Sequence, residues 1–248
     1  MKFSLARKAL GSQKSELKPH IPSGQRIYAI GDVHGRADLL ANLFARIDAD
    51  LQLRPVQHSI QVLLGDYIDR GPDSRQVLDL IIGRRKGHSV IALKGNHEQC
   101  ALNVLSDPSS LLQWKSVGGL NTVLSYGIAA TWSDDFQSVA VAFANNLPDS
   151  HRRFLQGLPL SFTCGDFFFV HAGARPGIRL EEQSEHDLLW IREDFLLHEE
   201  DFGKIIVHGH TPNLEPEIRR NRINIDTGAY ATGRLTCLVL EGDEMRLL

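Results

Sequence analysis

Short apolar runs alternate with amphipathic stretches over the first hundred residues of the chain. Residues 27–30, 60–64 and 90–93 are apolar runs of strand length, which is typical of buried strands in a parallel sheet. Between them, leucine and isoleucine recur at helical spacing over residues 36–51, and a second helix is predicted to open at Pro72. The repeated order of strand, loop and helix predicts an α/β protein with a mostly parallel sheet covered by helices.

The strand pattern stops in the middle of the chain and then returns. Residues 101–160 carry helical pieces in place of the strand rhythm, which predicts a helical cap insertion. The later strand-like runs follow one another closely with few helices between them, and they lie at residues 167–170, 204–207, 223–225 and 235–240. Their close succession predicts a second, more antiparallel sheet that packs against the first.

The length of 248 residues suits one large domain. We predict that this domain spans residues 26–248 and follows a flexible N-terminal tail, residues 1–25. The first 26 residues are basic, since they carry six Lys and Arg residues against the single acid Glu16. They lack an apolar core of secretory length, so the sequence does not indicate export.

Composition narrows the classes of protein to consider. The apolar fraction of 42% and the charged fraction of 23% are typical of a globular protein in water. A net charge of −3 gives no support to nucleic-acid binding, and no apolar stretch is long enough to span a membrane. The three cysteines are too few and too scattered for a disulfide framework. A reducing, cytoplasmic location is therefore predicted, while the oligomeric state is not indicated.

Polar clusters follow five of the predicted strands. Their members are Asp32 and His34, then Asp66, Asn96 and His97, His171, and finally His208 and His210. Strand ends of one sheet system meet at one edge, where α/β proteins bind ligands. Imidazole, carboxylate and amide groups without cysteine suit Mn, Fe or Zn. These ligands outnumber the needs of one tetrahedral ion, so we predict two ions sharing a carboxylate, an arrangement suited to hydrolysis of phosphate esters.

The motifs that carry these residues resemble those of a known family. GDVHG (31–35), GDYIDRG (65–71), GNHE (95–98), HAG (171–173) and HGH (208–210) are similar to the signature of the phosphoprotein phosphatases. That family belongs to the calcineurin-like metallophosphoesterases. WIRE (190–193) and IDTGA (225–229) resemble its bacterial and phage branch. The resemblance implies a metallophosphoesterase fold, in which two packed mixed β-sheets are flanked by helices in an α-β-β-α sandwich.

The resemblance implies a set of metal ligands. In this set, Asp66 bridges the two ions. His208, the first histidine of HGH, supplies a ligand, whereas His210 only assists without being a ligand itself. Asp226, at a later strand end, is a candidate for a supporting role. The cofactors implied are two divalent ions, with Mn favoured and Fe or Zn also suitable. The six implied ligands are Asp32, His34, Asp66, Asn96, His171 and His208.

The resemblance also implies the catalytic groups. Arg70 would hold the phosphate oxygens with a planar guanidinium, His97 would protonate the leaving-group oxygen, and Asp69 would orient His97. The implied mechanism is a single-step attack on phosphorus by a metal-bridging hydroxide. The implied substrate-binding residues are Arg70, Asn96, Arg192 and Tyr230, of which Arg70 and Arg192 also act in catalysis.

Three functions are compatible with these motifs. The first is a protein phosphatase acting on phosphoserine and phosphothreonine, with phosphotyrosine and small phosphoesters also open. The second is a hydrolase of dinucleoside polyphosphates such as diadenosine tetraphosphate. Symmetrical enzymes of that kind generally lack the acid of DRG and carry GNHD, whereas this chain has Asp69 and Glu98, which favours the phosphatase. The third is a non-catalytic binding module, which the complete set of site residues disfavours.

Overall fold

The computed structural model describes residues 18–131 and 135–248. These residues form ten strands, which are β1 (Gln25–Ile30), β2 (His58–Leu63), β3 (Ser89–Ala92), β4 (Ser161–Cys164), β5 (Phe167–Val170), β6 (Ile205–His208), β7 (Glu217–Ile218), β8 (Arg222–Asn224), β9 (Cys237–Glu241) and β10 (Glu244–Leu247). The first sheet has the order β10-β9-β1-β2-β3, and the second has the order β4-β5-β6-β8-β7.

Both sheets are mixed. In the first, β1, β2 and β3 are parallel, while β9 and β10 are antiparallel to their neighbours. In the second, β5, β6 and β8 are parallel, and the antiparallel strands β4 and β7 lie at the two edges. The parallel strands of each sheet therefore end at a common rim.

Ten α-helices occupy the described residues. They are α1 (Ala37–Leu53), α2 (Ser74–Arg84), α3 (Asn96–Ser106), α4 (Leu111–Ser116), α5 (Gly119–Ser125), α6 (Phe136–Asn146), α7 (Asp149–Gln156), α8 (Glu185–Trp190), α9 (Glu193–Leu196) and α10 (Ala229–Thr232). None of the helices in the described part of the chain is long and apolar enough to cross a membrane.

Alternation along the strands divides the core into layers. In β1, Ile27 and Ala29 join an apolar cluster with Phe167 and Phe169 of β5, which packs the two sheets face to face. Tyr28 and Ile30, which alternate with Ile27 and Ala29 along β1, face α1 and α2 instead. A third cluster lies between the outer face of the second sheet and helices α8 and α9. Because successive strand residues point to opposite faces, one strand serves two layers, and the predicted α-β-β-α sandwich is confirmed.

Some elements differ from the sequence-based expectation. The helix expected from Pro72 begins two residues later, at Ser74. The last predicted strand does not close the second sheet: as β9 it pairs with β1 in the first sheet. The second sheet is also less antiparallel than expected, because β5, β6 and β8 form its parallel centre.

The structure bears on two parts of the predicted domain organisation, the N-terminal tail and the helical insertion. Residues 1–17 of the expected tail lie outside the described residues. Within residues 18–25, however, Ile21 is buried and its N–H donates to the Gly242 carbonyl at 2.8 Å. The packed part of the chain therefore begins before residue 26. Helices α4 to α7 fall within the range 101–160 that we expect to form the insertion.

Candidate metal centre and active site

The polar clusters of the sequence come together at the rim where the parallel strands end. Five non-glycine residues of the described chain have positive φ, and each lies in one of the family-like motifs: His34, Asp66, Asp69, Arg70 and His210. Such conformations cost on the order of 1–3 kcal/mol each and persist only where surrounding contacts enforce them. The local strain of the described backbone is therefore concentrated at this one site.

Asp66 occupies the centre of the site. Its Oδ2 lies 3.5 Å from His34 Nε2, and its Oδ1 lies 3.4 Å from His171 Nε2 on the other side. In the described residues, two groups have ligand atoms close enough to share an ion: His34, Asp66 and His97, and Asp66, His171 and His210. One carboxylate common to both groups is the arrangement that a bridging ligand requires.

The second group has the spacing of a preformed metal site. Asn96 Oδ1 lies 2.9 Å from His171 Nε2 and 2.9 Å from His210 Nδ1, and the two imidazole nitrogens are 3.2 Å apart. Ligand atoms that bind one ion at about 2.1 Å and at right angles are about 3 Å apart. The three atoms therefore fit one coordination sphere without rearrangement of the backbone.

Backbone carbonyls fix the histidines from behind. His34 Nδ1 donates to the Ile68 carbonyl at 3.0 Å, and His171 Nδ1 donates to the Leu64 carbonyl at 2.9 Å. Each bond leaves Nε2 with a lone pair directed at Asp66. Burial lowers the pKa of His34 to about 3 and also lowers the pKa of His171. Both rings are neutral at physiological pH, which is the form that binds a metal.

The structure places His210, and not His208, among the ligand atoms. His208 is the last residue of β6, and its ring lies edge-on to Phe195 at 4.9 Å, on the outer face of the second sheet. The chain then turns through Gly209 to a φ of 66° at His210, so strand alternation no longer relates the two side chains. The geometry therefore favours His210 over the His208 expected from the sequence, and we propose His210 as the ligand at this position.

Asp32 and Asp226 lie beside this group. Asp32 Oδ2 accepts the His210 N–H at 3.0 Å, while its buried Oδ1 has no hydrogen-bond partner among the described residues. Burial, with the nearby charges of Asp226 and Asp66, raises the pKa of Asp32. An unpartnered buried carboxylate oxygen is costly unless a cation compensates it. Asp32 therefore fits the predicted ligand role, with Asp226 as a supporting carboxylate.

The residue types at the rim fit the divalent ions expected from the sequence. His210 Nε2 is, like Asp32 Oδ1, a buried atom without a hydrogen-bond partner in the described chain. Nitrogen and oxygen ligands around a shared carboxylate suit Mn, Fe or Zn. The first ion would be held by Asp32, His34 and Asp66, and the second by Asp66, Asn96, His171 and His210.

Asn96 and His97 face different partners because they open α3. The helix begins at Asn96, directly after Gly95, so the two side chains leave the axis about 100° apart. Asn96 faces the histidines of the second group, whereas His97 Nδ1 lies 2.6 Å from Asp69 Oδ2. Gly95 is required here because a Cβ would overlap Asp66 Oδ1.

His97 and Asp69 form a buried, hydrogen-bonded pair of an imidazole and a carboxylate. Both side chains are almost completely buried. Burial acts to lower the pKa of His97, but the charge of Asp66 and the hydrogen bond to Asp69 outweigh it and raise the pKa to about 9. The hydrogen bond to Asp69 favours the protonated form of the ring, and His97 Nε2, 3.7 Å from Asp66 Oδ2, faces the centre of the site.

The three remaining predicted residues lie at the mouth of the site. Arg70 Nη2 is 3.4 Å from His97 Nε2, and its guanidinium packs over the Tyr230 ring at 4.8 Å. Tyr230 is 39% exposed, and its ring also meets His34 edge-on. Arg192 is exposed, donates to Thr211 Oγ1 at 3.2 Å, and is close enough to His171 to lower the pKa of that residue.

Sequence reasoning missed residues that support the site without touching its centre. Glu98 accepts backbone N–H groups from Asp66, Tyr67 and Gly95 at 2.8–2.9 Å, so it ties the turn after β2 to the start of α3. Glu98 follows His97 directly in the GNHE motif, and this position was the sequence feature that could have indicated its supporting role. Trp114 and Thr122, from the insertion, contact Asp69, and no local pattern marks them.

Comparison with known protein families agrees with the fold. Residues 25–237 match the family described as calcineurin-like phosphoesterase. The chain therefore belongs to the calcineurin-like phosphoesterases, a family of hydrolases that use divalent metals in a binuclear centre.

Proteins similar to this chain carry more than one kind of name. A protein of Oceanobacillus iheyensis named bis(5'-nucleosyl)-tetraphosphatase PrpE, asymmetrical, is 27% identical over 231 residues, covering 85% of this chain and 87% of its own. A solved structure provisionally described as a diadenosine tetraphosphatase has a TM-score of 0.60 at 18% identity and covers 93% and 97% of the two chains. A serine/threonine phosphatase of Saccharomyces cerevisiae has a TM-score of 0.58 at 14% identity, covering 93% and 83%.

Proposed function

We propose that this protein hydrolyses bis(5'-nucleosyl) tetraphosphates with two divalent ions at the rim of its sheets. The observation that carries the hydrolytic part is Asp66, which faces a histidine from each of its two oxygens at 3.5 and 3.4 Å. The substrate class is supported by the PrpE relatives, which match along most of both chains and are named as tetraphosphatases. Hydrolysis of dinucleoside polyphosphates was the second hypothesis from the sequence, and the similarity to these relatives makes it the favoured one.

The sequence argument against this substrate applies to a different group of enzymes. Asp69 and Glu98 distinguish this chain from symmetrical diadenosine tetraphosphatases, whereas the relatives are named asymmetrical. The presence of the acid in DRG therefore does not argue against cleavage of a dinucleoside tetraphosphate.

The chain's own groups can perform the steps around the bond that breaks. Bound ions would supply charge neutralisation for the phosphate and lower the pKa of water. Arg70, at the mouth of the site, can hold non-bridging phosphate oxygens in a bidentate manner, and Arg192 can do so from the start of α9. His97, held by Asp69 at 2.6 Å, can in its protonated form donate a proton from Nε2 to the leaving oxygen.

A second candidate is hydrolysis of phosphoserine and phosphothreonine esters. The buried His97 and Asp69 pair favours it, because an alkoxide leaving group needs a proton more than the phosphate of a departing nucleotide does. The two candidates share the metal centre and differ in the leaving group. They can therefore be separated by substrate choice.

A product analysis with added Mn tests the proposal. Diadenosine tetraphosphate and water should give ATP and AMP, while two molecules of ADP would indicate symmetrical cleavage. A phosphoserine peptide at equal concentration should turn over more slowly, as measured by kcat/KM. Faster turnover of the peptide would replace the proposal with the second candidate. No turnover of either, in protein shown to contain metal, would favour a non-catalytic module, and Asp66→Asn serves as the inactive control.

A further inference from the structure

Two side chains of the helical insertion bind the carboxylate of Asp69 in the active site. Its Oδ2 accepts two hydrogen bonds, from His97 Nδ1 at 2.6 Å and from Trp114 Nε1 at 2.7 Å. Its Oδ1 accepts a bond from Thr122 Oγ1 at 2.5 Å. Trp114 lies in α4 and Thr122 in α5, and all of these side chains are buried to 99% or more.

The insertion also holds the backbone on which Asp69 lies. Asp69 and Arg70 have φ values of 72° and 65°, a conformation that non-glycine residues seldom adopt. The Asp69 N–H donates to Thr122 Oγ1 at 2.9 Å, and the Arg70 N–H donates to the Gly118 carbonyl at 3.3 Å. Asn121 Nδ2 donates in turn to the Arg70 carbonyl. Contacts from α4, α5 and the turn between them therefore stabilise a strained segment.

We propose that Trp114 and Thr122 are positioning residues, which hold the Asp69 carboxylate in the one orientation that aims His97 Nε2 at the leaving group. The inference rests on the proposed function, in which His97 is the proton donor. A carboxylate can rotate about its side-chain torsion, and bonds to both oxygens from two helices remove that freedom. The insertion is then part of the proton-donating machinery as well as a cap over the sheet edge.

A purely structural role for Trp114 is the alternative to exclude. The indole packs against Phe143 with ring centroids 5.0 Å apart, and Gly119 has no space for a Cβ beside it. These contacts would stabilise α4 whether or not Nε1 had an acceptor. The carboxylate bond and the packing must therefore be disturbed separately.

Matched substitutions at Thr122 separate the hydroxyl from the methyl group. Thr122→Val keeps the shape and removes the donor, while Thr122→Ser keeps the donor and removes the methyl group. The readout is kcat/KM with Mn on two aryl phosphates, p-nitrophenyl phosphate, whose leaving group needs little protonation, and phenyl phosphate, whose leaving group needs more. We expect Thr122→Val to lose about tenfold on phenyl phosphate, within the 10²–10⁴-fold that a positioned general acid contributes, and less than about twofold on p-nitrophenyl phosphate. Thr122→Ser should keep the wild-type ratio of the two substrates.

The same readout separates the two roles of Trp114. Trp114→Phe removes the N–H donor and keeps an aromatic ring, whereas Phe143→Leu disturbs the packing of the ring and keeps the donor. We expect Trp114→Phe to change the ratio of the two substrates as Thr122→Val does, and Phe143→Leu to leave it unchanged. Equal losses on both substrates in Trp114→Phe and Thr122→Val, or a changed ratio in Phe143→Leu, would overturn the inference. If Trp114→Phe does not fold, as judged by its thermal melting, the Thr122 pair decides alone.

A His97→Ala variant distinguishes failure of the inference from failure of the proposed function. A loss that is larger on phenyl phosphate identifies His97 as the proton donor. If His97→Ala shows this pattern and Thr122→Val does not, the positioning role is wrong and the proposed role of His97 stands. If His97→Ala affects both substrates equally, the donor role of His97 is wrong, and the inference is overturned with it.

Discussion

Asn96 and His97 are adjacent in sequence but have separate tasks at the site. Asn96 Oδ1 is within 2.9 Å of two histidine ligands, while His97 Nδ1 is held by Asp69. We expect His97→Ala to lower kcat by about 10²-fold or more, the contribution of a general acid, and to retain bound metal. Asn96→Ala should lose activity and also metal content, measured by elemental analysis after gel filtration. Equal metal loss in both variants would contradict this division.

The two histidines of HGH offer a second comparison between neighbouring residues. His210→Ala removes an imidazole that lies among the ligand atoms, so we expect metal affinity to fall by about 10-fold to 100-fold or more, as for lost metal-site groups. His208→Ala leaves those atoms in place and should keep metal affinity within about threefold, while lowering thermal stability because the ring packs on Phe195. Calorimetric titration with Mn measures both. A greater loss of affinity in His208→Ala would restore the choice made from the sequence.

The residues that we propose for the centre could be chosen from the sequence because each follows an apolar run. A polar residue directly after a buried strand must lie at the rim, whatever the rest of the fold does. The choice between His208 and His210 could not be made in this way, since it depends on the turn at Gly209 and on the positive φ of His210. A local pattern does not encode which of two histidines, two positions apart, faces the rim once the strand has ended.

At the scale of elements, α1 is anchored to the first sheet by a buried ion pair. Asp50 accepts from Tyr28 at 2.7 Å and from Arg246 at 2.5 Å, and it lies 3.4 Å from Arg26. Asp50 and Arg26 are each 3% exposed at the side chain. Removing one partner of a buried pair typically costs about 3–5 kcal/mol, so we expect Asp50→Ala to lower the free energy of unfolding by that amount, as measured in urea. The control is Asp38→Ala, whose carboxylate is 58% exposed and should cost less than about 1 kcal/mol.

The contribution of the Asp50 carboxylate to the stability of the fold should depend on pH. Burial acts to raise the pKa of Asp50, but the hydrogen bonds from Tyr28 and Arg246 outweigh it and leave the pKa lower than usual. A lowered pKa in the folded state stabilises the fold above the unfolded pKa of about 3.9, and this stabilisation is lost as the pH falls through the folded value. The difference between wild type and Asp50→Ala should therefore shrink in acid. A difference that stayed constant from pH 7 to pH 3 would show that the charge of Asp50 is not its source.

Periodicity predicted the long elements well and the short ones poorly. Helix α1 has a complete apolar face, and its observed bounds, Ala37–Leu53, lie close to those predicted. Strand β7 has only two residues and carries no pattern of its own. The bonds from Trp114 and Thr122 to Asp69 join positions 45 and 53 residues apart. Such contacts arise from the packing of the insertion on the turn after β2, which a single sequence does not reveal.

At the scale of the whole molecule, the metal centre joins the two sheets. Asp66 follows β2 of the first sheet, whereas His171 and His210 follow β5 and β6 of the second. Ions bound at this rim should therefore stabilise the complete fold. At a concentration 100-fold above the dissociation constant, binding adds about 2.7 kcal/mol, which corresponds to roughly 5–10 °C for a chain of this size.

Thermal melting with and without a chelator measures this effect. We expect the melting temperature to fall when metal is removed and to return when Mn is added. Asp66→Asn should abolish the response, because the shared carboxylate is lost. An unchanged response in that variant would place the stabilising ion elsewhere in the molecule.

The pairing of β1 with β9 has a consequence for the synthesis of the chain. Ile27 lies opposite Leu240, so the central strand of the first sheet gains one of its neighbours only after every strand of the second sheet has been translated. Until then a nascent chain carries β1 with an open edge, and open edges invite pairing with other chains. The hydrogen bond between Asp32 and His210, 178 positions apart, likewise forms only after His210 has been translated. The proposed metal centre can therefore assemble only after β6 has been translated, and one edge of β1 stays open until β9 has followed.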